Sequence, residues 1–318
     1  MKAIFKYSLL AGLLPFVACS KNAVEDDESC LDPSYKVPLE VIVNLDAAFS
    51  DYKTIDSVFY KDSGKETRGD DLPYLKYYVA AYPMTSGLPN VVESSDVPTV
   101  PIKVHPGRYT MVGWVMYESA EKEKGYNFYD DDFSELLLRN KYNYTGADIY
   151  KLAYRACEPK NIPYNATSVD ITAKPAMAQY NIVATDTASF NPDKVIISYS
   201  SMLPAAIHGK TGAINWWWDD ISYESTSKHI QSGGDLLASD YVLSQDNLET
   251  KVTVIVEVYD DTGRLRARKK NVEIPLKNGG VTTVKGNFYS ILELDNDATA
   301  GSGINIKTEW DASFDIQF

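Results

Sequence analysis

The most unusual group of side chains in the sequence is a run of three tryptophans followed by two carboxylates, Trp216-Trp217-Trp218-Asp219-Asp220. Indole rings offer broad apolar faces on which a sugar ring can stack, and nearby carboxylates can accept hydrogen bonds from its hydroxyls. Because neighbouring residues of a strand point to opposite sides, we expect at least one ring to be exposed. The run is a candidate contact site for a glycan or a protein. The alternative is that two rings pack into a sheet edge and the third covers a loop.

No catalytic motif accompanies this run. His105, His208 and His229 have no Cys or His at metal-ligand spacing. The sequence also lacks a nucleophile elbow, a phosphate-binding loop and a dinucleotide fingerprint. A carboxylate pair for glycoside hydrolysis stays open as an alternative, but with 44 acidic residues no two can be chosen from the sequence. We therefore expect no catalytic residue, no metal and no cofactor.

The first residues predict export and lipidation. Lys2 and Lys6 give a positive start, and the apolar stretch up to Val17 is too short for a transmembrane helix. It ends in Ala18-Cys19, which is typical of a lipoprotein signal whose Cys is acylated with palmitate-type chains. We predict a signal peptide over 1–18 and a lipidated tether over 19–36, with the outer membrane as partner of the lipid. The alternative is an ordinary signal peptide with an incidental Cys.

Charge and cysteine content restrict the partners. The net charge of −13 repels nucleic acid and anionic lipid, so we expect no nucleic-acid partner. Residues 20–28 are polar and acidic, as in a solvated tether. They resemble the acidic export tags of surface lipoproteins of Bacteroidales, which implies exposure at the cell surface. Outside the cytoplasm Cys30 and Cys157 can pair, and the sequence leaves open whether they do.

The mature chain has the pattern of an all-β protein. Segments rich in β-branched and aromatic residues, such as 37–46 and 251–259, alternate with turns containing Pro, Gly and Asn. We expect two antiparallel β-sandwiches, over 37–167 and 168–318, because Pro and Asn cluster near 160–173. One short helix is expected over 148–156, with Ile149, Leu152 and Ala153 on one face.

Several segments, taken in order, resemble those of fimbrillin-like lipoproteins of Bacteroidales. They are Pro106–Thr110 with Trp114, Lys174–Tyr180, Lys194–Tyr199 with Met202–Pro204, Val254–Tyr259 with Asp261–Gly263, and Thr282–Phe288 with Trp310–Phe314. The resemblance implies two tandem transthyretin-like or Ig-like sandwiches. It also implies a fimbrial subunit, anchor or adhesin at the outer membrane, with other fimbrial subunits, a host protein or a glycan as partner.

The resemblance further implies assembly by strand exchange. In fimbrillins a protease cuts after a basic residue, the first strand leaves, and a strand of the next subunit fills the groove. Here the cut would follow Arg68 and release 37–46, and the donor strand would carry Phe314, Ile316 and Phe318. The alternative is that Arg68 is an ordinary loop residue and both strands stay in their own domain. A separate alternative is a glycan-binding lipoprotein of a polysaccharide-uptake system that uses Trp216 to Trp218.

Overall fold

The structure is a computed structural model of the chain. It describes residues 35–46, 74–118, 133, 135–138, 141–225, 228–230, 234–245, 250–293, 305–307 and 313–317. These residues form β-strands joined by turns, and their helical content is limited to two short 3₁₀ turns, Lys141–Asn143 and Ile149–Lys151. No helix among them has the length and apolarity needed to cross a membrane. The expected all-β class is confirmed.

The N-terminal half forms one sheet that folds into two layers. Its strands are β1 (Val37–Leu45), β2 (Tyr74–Pro83), β3 (Val91–Ser95), β4 (Thr99–Val104), β5 (Gly107–Glu118), β6 (Leu136–Leu137), β7 (Ala153–Ile162) and β8 (Ser168–Pro175). All but β6 follow the order β3-β2-β5-β7-β8-β1-β4. β7 and β8 pair only through Tyr154 and Arg155, so the sheet bends at this junction and continues into the second layer.

An apolar core fills the space between these layers. Buried side chains of β2 and β5 pack against those of β1, β4 and β8. The layers approach closely at Gly113, where a Cβ would lie 2.8 Å from Ile171 Cδ1. The closeness of the layers therefore depends on the missing side chain at Gly113.

The C-terminal half contributes three smaller sheets. Its strands are β9 (Met177–Ala184), β10 (Pro192–Tyr199), β11 (Leu203–Ile207), β12 (Ile214–Trp218), β13 (Ser222–Ser225), β14 (Lys228–Ile230), β15 (Gly234–Leu243), β16 (Thr250–Asp260), β17 (Leu265–Leu276), β18 (Val281–Gly286), β19 (Asn305–Lys307) and β20 (Ser313–Gln317). They are ordered β13-β10-β16-β17, β14-β15-β9-β18-β20-β19 and β12-β11-β6. Most pairs are antiparallel, while β1–β8, β9–β18 and β18–β20 run parallel. A second core joins these sheets to the outer face of β5.

The helix expected over 148–156 is wrong. Only Ile149–Lys151 forms a 3₁₀ turn, and β7 begins at Ala153, which pairs with Met116 of β5. Pairing along β5 outweighs the helical spacing of the apolar residues, since tertiary contacts commonly override local propensity. The expected boundary between residues 167 and 168 stays a prediction. The structure adds that β8, which begins there, pairs with β1.

Candidate functional site

The first candidate site is β1 and its surroundings. β1 lies between two strands, antiparallel to β4 with Val41 opposite Val100, and parallel to β8 with Val43 opposite Ile171. Every second side chain points into the core, and those of Val37, Leu39, Val41 and Val43 are at most 2% exposed. Removing β1 would leave two unpaired strand edges beside an apolar groove, which is a template for another strand.

The residues expected to control strand exchange lie partly outside the described residues. This applies to Arg68, to Cys19 as the predicted lipidation site and to Phe318. Phe314 and Ile316 lie on β20, opposite Thr282 and Val284 of β18 in a parallel pair. In this structure the C-terminal strand therefore occupies its own sheet, and its use as a donor stays a prediction.

An open groove of about 1090 Å³ runs beside β1 and β4. Glu40 and Glu93 are among its lining residues, together with Lys36 and Lys103. No group of three or more potential metal ligands occurs among the described residues. Glycoside hydrolysis by a carboxylate pair remains a hypothesis that the structure leaves untested.

The second candidate site is the tryptophan run on β12. β12 forms one margin of the sheet β12-β11-β6, and Trp217 lies opposite Pro204 of β11. Trp218 is only 8% exposed and packs edge-on against Tyr144, with ring centroids 6.4 Å apart. Trp216 and Trp217 are 54% and 47% exposed. The strand therefore buries one ring and presents two to solvent, and their use in binding stays a prediction.

Polar and aromatic groups surround this margin. Lys141 Nζ lies 2.7 Å from Asp219 Oδ1, just after β12. The hydrogen bond from Lys141 lowers the pKa of Asp219, so this carboxylate stays ionised. The bridge holds the turn of Tyr142, whose side chain is 96% exposed, near the end of β12. Exposed rings beside a hydrogen-bond acceptor are the groups that sugar binding requires.

The sequence matches the model of a family of unknown function over residues 49–317. The chain belongs to this family, DUF6562. No curated protein matches the sequence.

Solved structures similar to this DUF6562 chain include three proteins from Bacteroides and Porphyromonas species. A candidate cell adhesion protein from Bacteroides eggerthii has 9% identity and a TM-score of 0.48, covering 89% of this chain and 97% of that chain. A fimbrial anchor protein from Porphyromonas gingivalis has 13% identity and a TM-score of 0.39, covering 74% and 82%. A candidate polysaccharide-binding protein from Bacteroides thetaiotaomicron has 10% identity and a TM-score of 0.43, covering 73% and 80%.

The DUF6562 chain also contains a buried cluster of ionisable side chains that the sequence analysis missed. Lys151 lies just before β7 and Asp240 lies within β15, and both side chains are 0% exposed. The two residues are 89 positions apart, so no motif or spacing could connect them. The local signal is weak as well, because a single Asp in an apolar strand carries no information about its partner.

Proposed function

We propose that this chain is a non-enzymatic cell-surface lipoprotein of fimbrillin type, anchored in the outer membrane through Cys19. It acts as a fimbrial subunit, an anchor or an adhesin. The observation that carries the proposal is the position of β1. This strand follows the predicted tether directly, yet it lies in the middle of its layer between β4 and β8.

That position suits exchange of one strand for another. A strand near the end of a chain can leave without unthreading the rest of the domain, whereas an internal strand with two long connections cannot. The groove left by β1 accepts any strand with an apolar residue at every second position, because hydrophobic burial is non-directional and the ladder bonds are made by the backbone.

The C-terminal segment has the matching alternation. Phe314, Ile316 and Phe318 alternate with polar residues, as Leu39, Val41 and Val43 do in β1. A C-terminal segment released from β18 of one copy would therefore fit the groove of the next. Retention of β1 would instead keep the groove closed, as suits an anchor or an adhesin.

The test is the N-terminus of the protein recovered from intact cells. An N-terminus at acylated Cys19 means that β1 is retained and supports an anchor or adhesin. An N-terminus at Gly69 supports a strand-exchanging subunit. In the second case Arg68→Ala should abolish the cut, and Lys65→Ala, three residues away, serves as the matched control. A chain that carries no acyl group and resists labelling on intact cells would contradict the proposal.

Glycan binding is the second candidate function. It is favoured by the exposure of Trp216 and Trp217 at a sheet margin, beside the Asp219 carboxylate. Stacking of a sugar on either indole would change its fluorescence, so a panel of oligosaccharides can be titrated against the protein. A flat response across the panel would contradict this function and leave the surface-protein proposal intact.

A further inference from the structure

The buried cluster at Lys151 and Asp240 places an amine directly against a carboxyl group. Lys151 Nζ contacts Asp240 Oδ1, and neither side chain is accessible to solvent. Nζ also donates a hydrogen bond to the carbonyl oxygen of Thr145 at 2.7 Å and lies 4.1 Å from the centre of the Tyr144 ring. The amine is therefore held in one position against the carboxyl group, and both side chains are shielded from solvent.

The carboxyl group of Asp240 is held by several donors. The hydroxyls of Tyr144 and Tyr199 donate to Oδ2 at 2.8 Å and 2.6 Å. The backbone N–H of Tyr241 donates to Oδ1 at 2.7 Å. Tyr180 supports the arrangement, because its hydroxyl lies 2.9 Å from that of Tyr199. Two fixed hydroxyls on one oxygen are the geometry that stabilises negative charge on a carbonyl oxygen during acyl transfer.

Burial also shifts the pKa values of the pair toward the neutral forms. Burial lowers the pKa of Lys151, and the nearby Asp240 charge opposes this effect. Burial raises the pKa of Asp240, and Lys151 opposes that effect. Both changes favour the neutral forms, since isolating two charges from water costs more than their attraction returns unless geometry is ideal. A neutral amine is a nucleophile, and a protonated carboxyl group is an acceptor for it.

A second carboxyl group, that of Asp148, lies on the same turn as Lys151, whose backbone N–H donates to the Asp148 carbonyl oxygen at 2.9 Å. Asp148 accepts a hydrogen bond from the Tyr150 backbone N–H at 3.0 Å and one from the Thr145 hydroxyl at 3.3 Å. Burial raises the pKa of Asp148, and attraction to Lys151 opposes the rise. A carboxylate on the same turn as an amine can accept a proton from it and return it to a leaving oxygen.

We propose that Lys151 and Asp240 condense to form an intramolecular isopeptide bond, with Asp148 as the proton relay. The Nζ lone pair adds to Cγ of the protonated Asp240, and the charge develops on Oδ2 beneath the two tyrosine hydroxyls. Asp148 takes one proton from nitrogen and passes it to Oδ1, which leaves as water. The amide keeps the other amine proton, so the step needs no oxidant, reductant or co-reactant.

The bond would join the two halves of the chain. Lys151 directly precedes β7, which belongs to the sheet of β1, while Asp240 lies in β15, which pairs with β9. A pulling force between the N-terminal anchor and the C-terminal region would pass through the bond, and residues 152–239 would be shielded from it. A covalent link across such a long loop also restricts the unfolded chain, as a disulfide does.

The test is peptide mapping by mass spectrometry of the full chain recovered from cells. Trypsin should fail to cut after Lys151, because an acylated lysine is no longer a substrate. The peptides containing Lys151 and Asp240 should appear as one linked species, lighter by one water molecule than the two together. Lys141 and Asp219 provide an internal control, because they form the same kind of contact in solvent and should stay unlinked. Separate peptides with cleavage after Lys151 would overturn the proposal.

The relay is tested by Asp148→Asn, which keeps the shape of the side chain and the Lys151–Asp240 contact. We expect the linked species to fall at least tenfold, with the unlinked peptides appearing in its place. Thermal unfolding monitored by circular dichroism verifies that the variant is folded. Linkage at the wild-type level in a folded Asp148→Asn variant would overturn the relay role of Asp148.

Discussion

The two cores of this chain are built on different principles. The core between the layers of the N-terminal sheet is made of apolar side chains from β1, β2, β4, β5 and β8. The second core surrounds Lys151, Asp240 and a group of tyrosine hydroxyls that bond to one another. Apolar contacts have no required direction, so we expect the first core to tolerate a replacement strand of similar pattern. Buried polar contacts require specific partners, so the second core accepts one arrangement.

This difference fits the roles proposed for the two regions. A strand that is exchanged must leave and be replaced without leaving buried polar groups unpaired. β1 meets this condition because it contributes only aliphatic side chains to the core. A region that transmits force must resist rearrangement, and the cluster at Asp240 connects β15 to the segment before β7. The variants below test whether the two cores differ in the way described.

The largest effect is expected for Lys151→Met. The substitution removes the buried partner of the Asp240 carboxyl group, which costs about 3–5 kcal/mol of the free energy of unfolding, and it also removes the proposed bond. Urea unfolding followed by circular dichroism measures the loss. The control is Lys141→Met, which removes the solvent-screened bridge to Asp219 and should cost far less. Equal losses in the two variants would show that the buried cluster stabilises the fold no more than an exposed ion pair does.

The next effect is expected for Leu39→Ala in β1. Leu39 is 2% exposed, and truncating a buried leucine costs about 2–5 kcal/mol through lost burial and the cavity left behind. Leu39→Met keeps the volume and should cost less than about 1.5 kcal/mol. Urea unfolding compares the two. If Leu39→Met were as damaging as Leu39→Ala, the core at β1 would depend on exact shape, and the idea of a tolerant groove would fail.

The features predicted correctly from the sequence are those that depend on residues close together in the chain, such as the bounds of strands. Strand alternation identified β1 and β16 close to their actual bounds, because one buried face imposes a period of two. The prediction of a helix at the start of β7 was wrong. The apolar spacing of 149–153 suits a helix, and the pairing of Ala153 with Met116 makes the segment a strand. The partnership of Lys151 and Asp240 was invisible for the same reason, because it arises only when β15 packs beside the turn before β7.

The tryptophan run shows the same limit on a smaller scale. Alternation predicted that some ring would be exposed but could not say which. Trp216 and Trp218 lie two residues apart, so alternation alone places them on the same face of β12, and their different exposure depends on what packs there. At this margin the ring of Trp218 packs against Tyr144, and the rings of Trp216 and Trp217 remain exposed to solvent.

The smallest effect on stability is expected for Trp216→Ala. The side chain is 54% exposed, so its removal should change the free energy of unfolding by no more than about 0.5 kcal/mol. Trp218→Ala, two residues along, should cost about 3–5 kcal/mol because that ring is buried. The same protein samples can be titrated with oligosaccharides that change the fluorescence of the wild type. If the exposed ring stacks on a glycan, Trp216→Ala should weaken such binding while leaving the fold intact. Loss of stability without loss of binding would assign Trp216 to the fold and remove the glycan hypothesis at this ring.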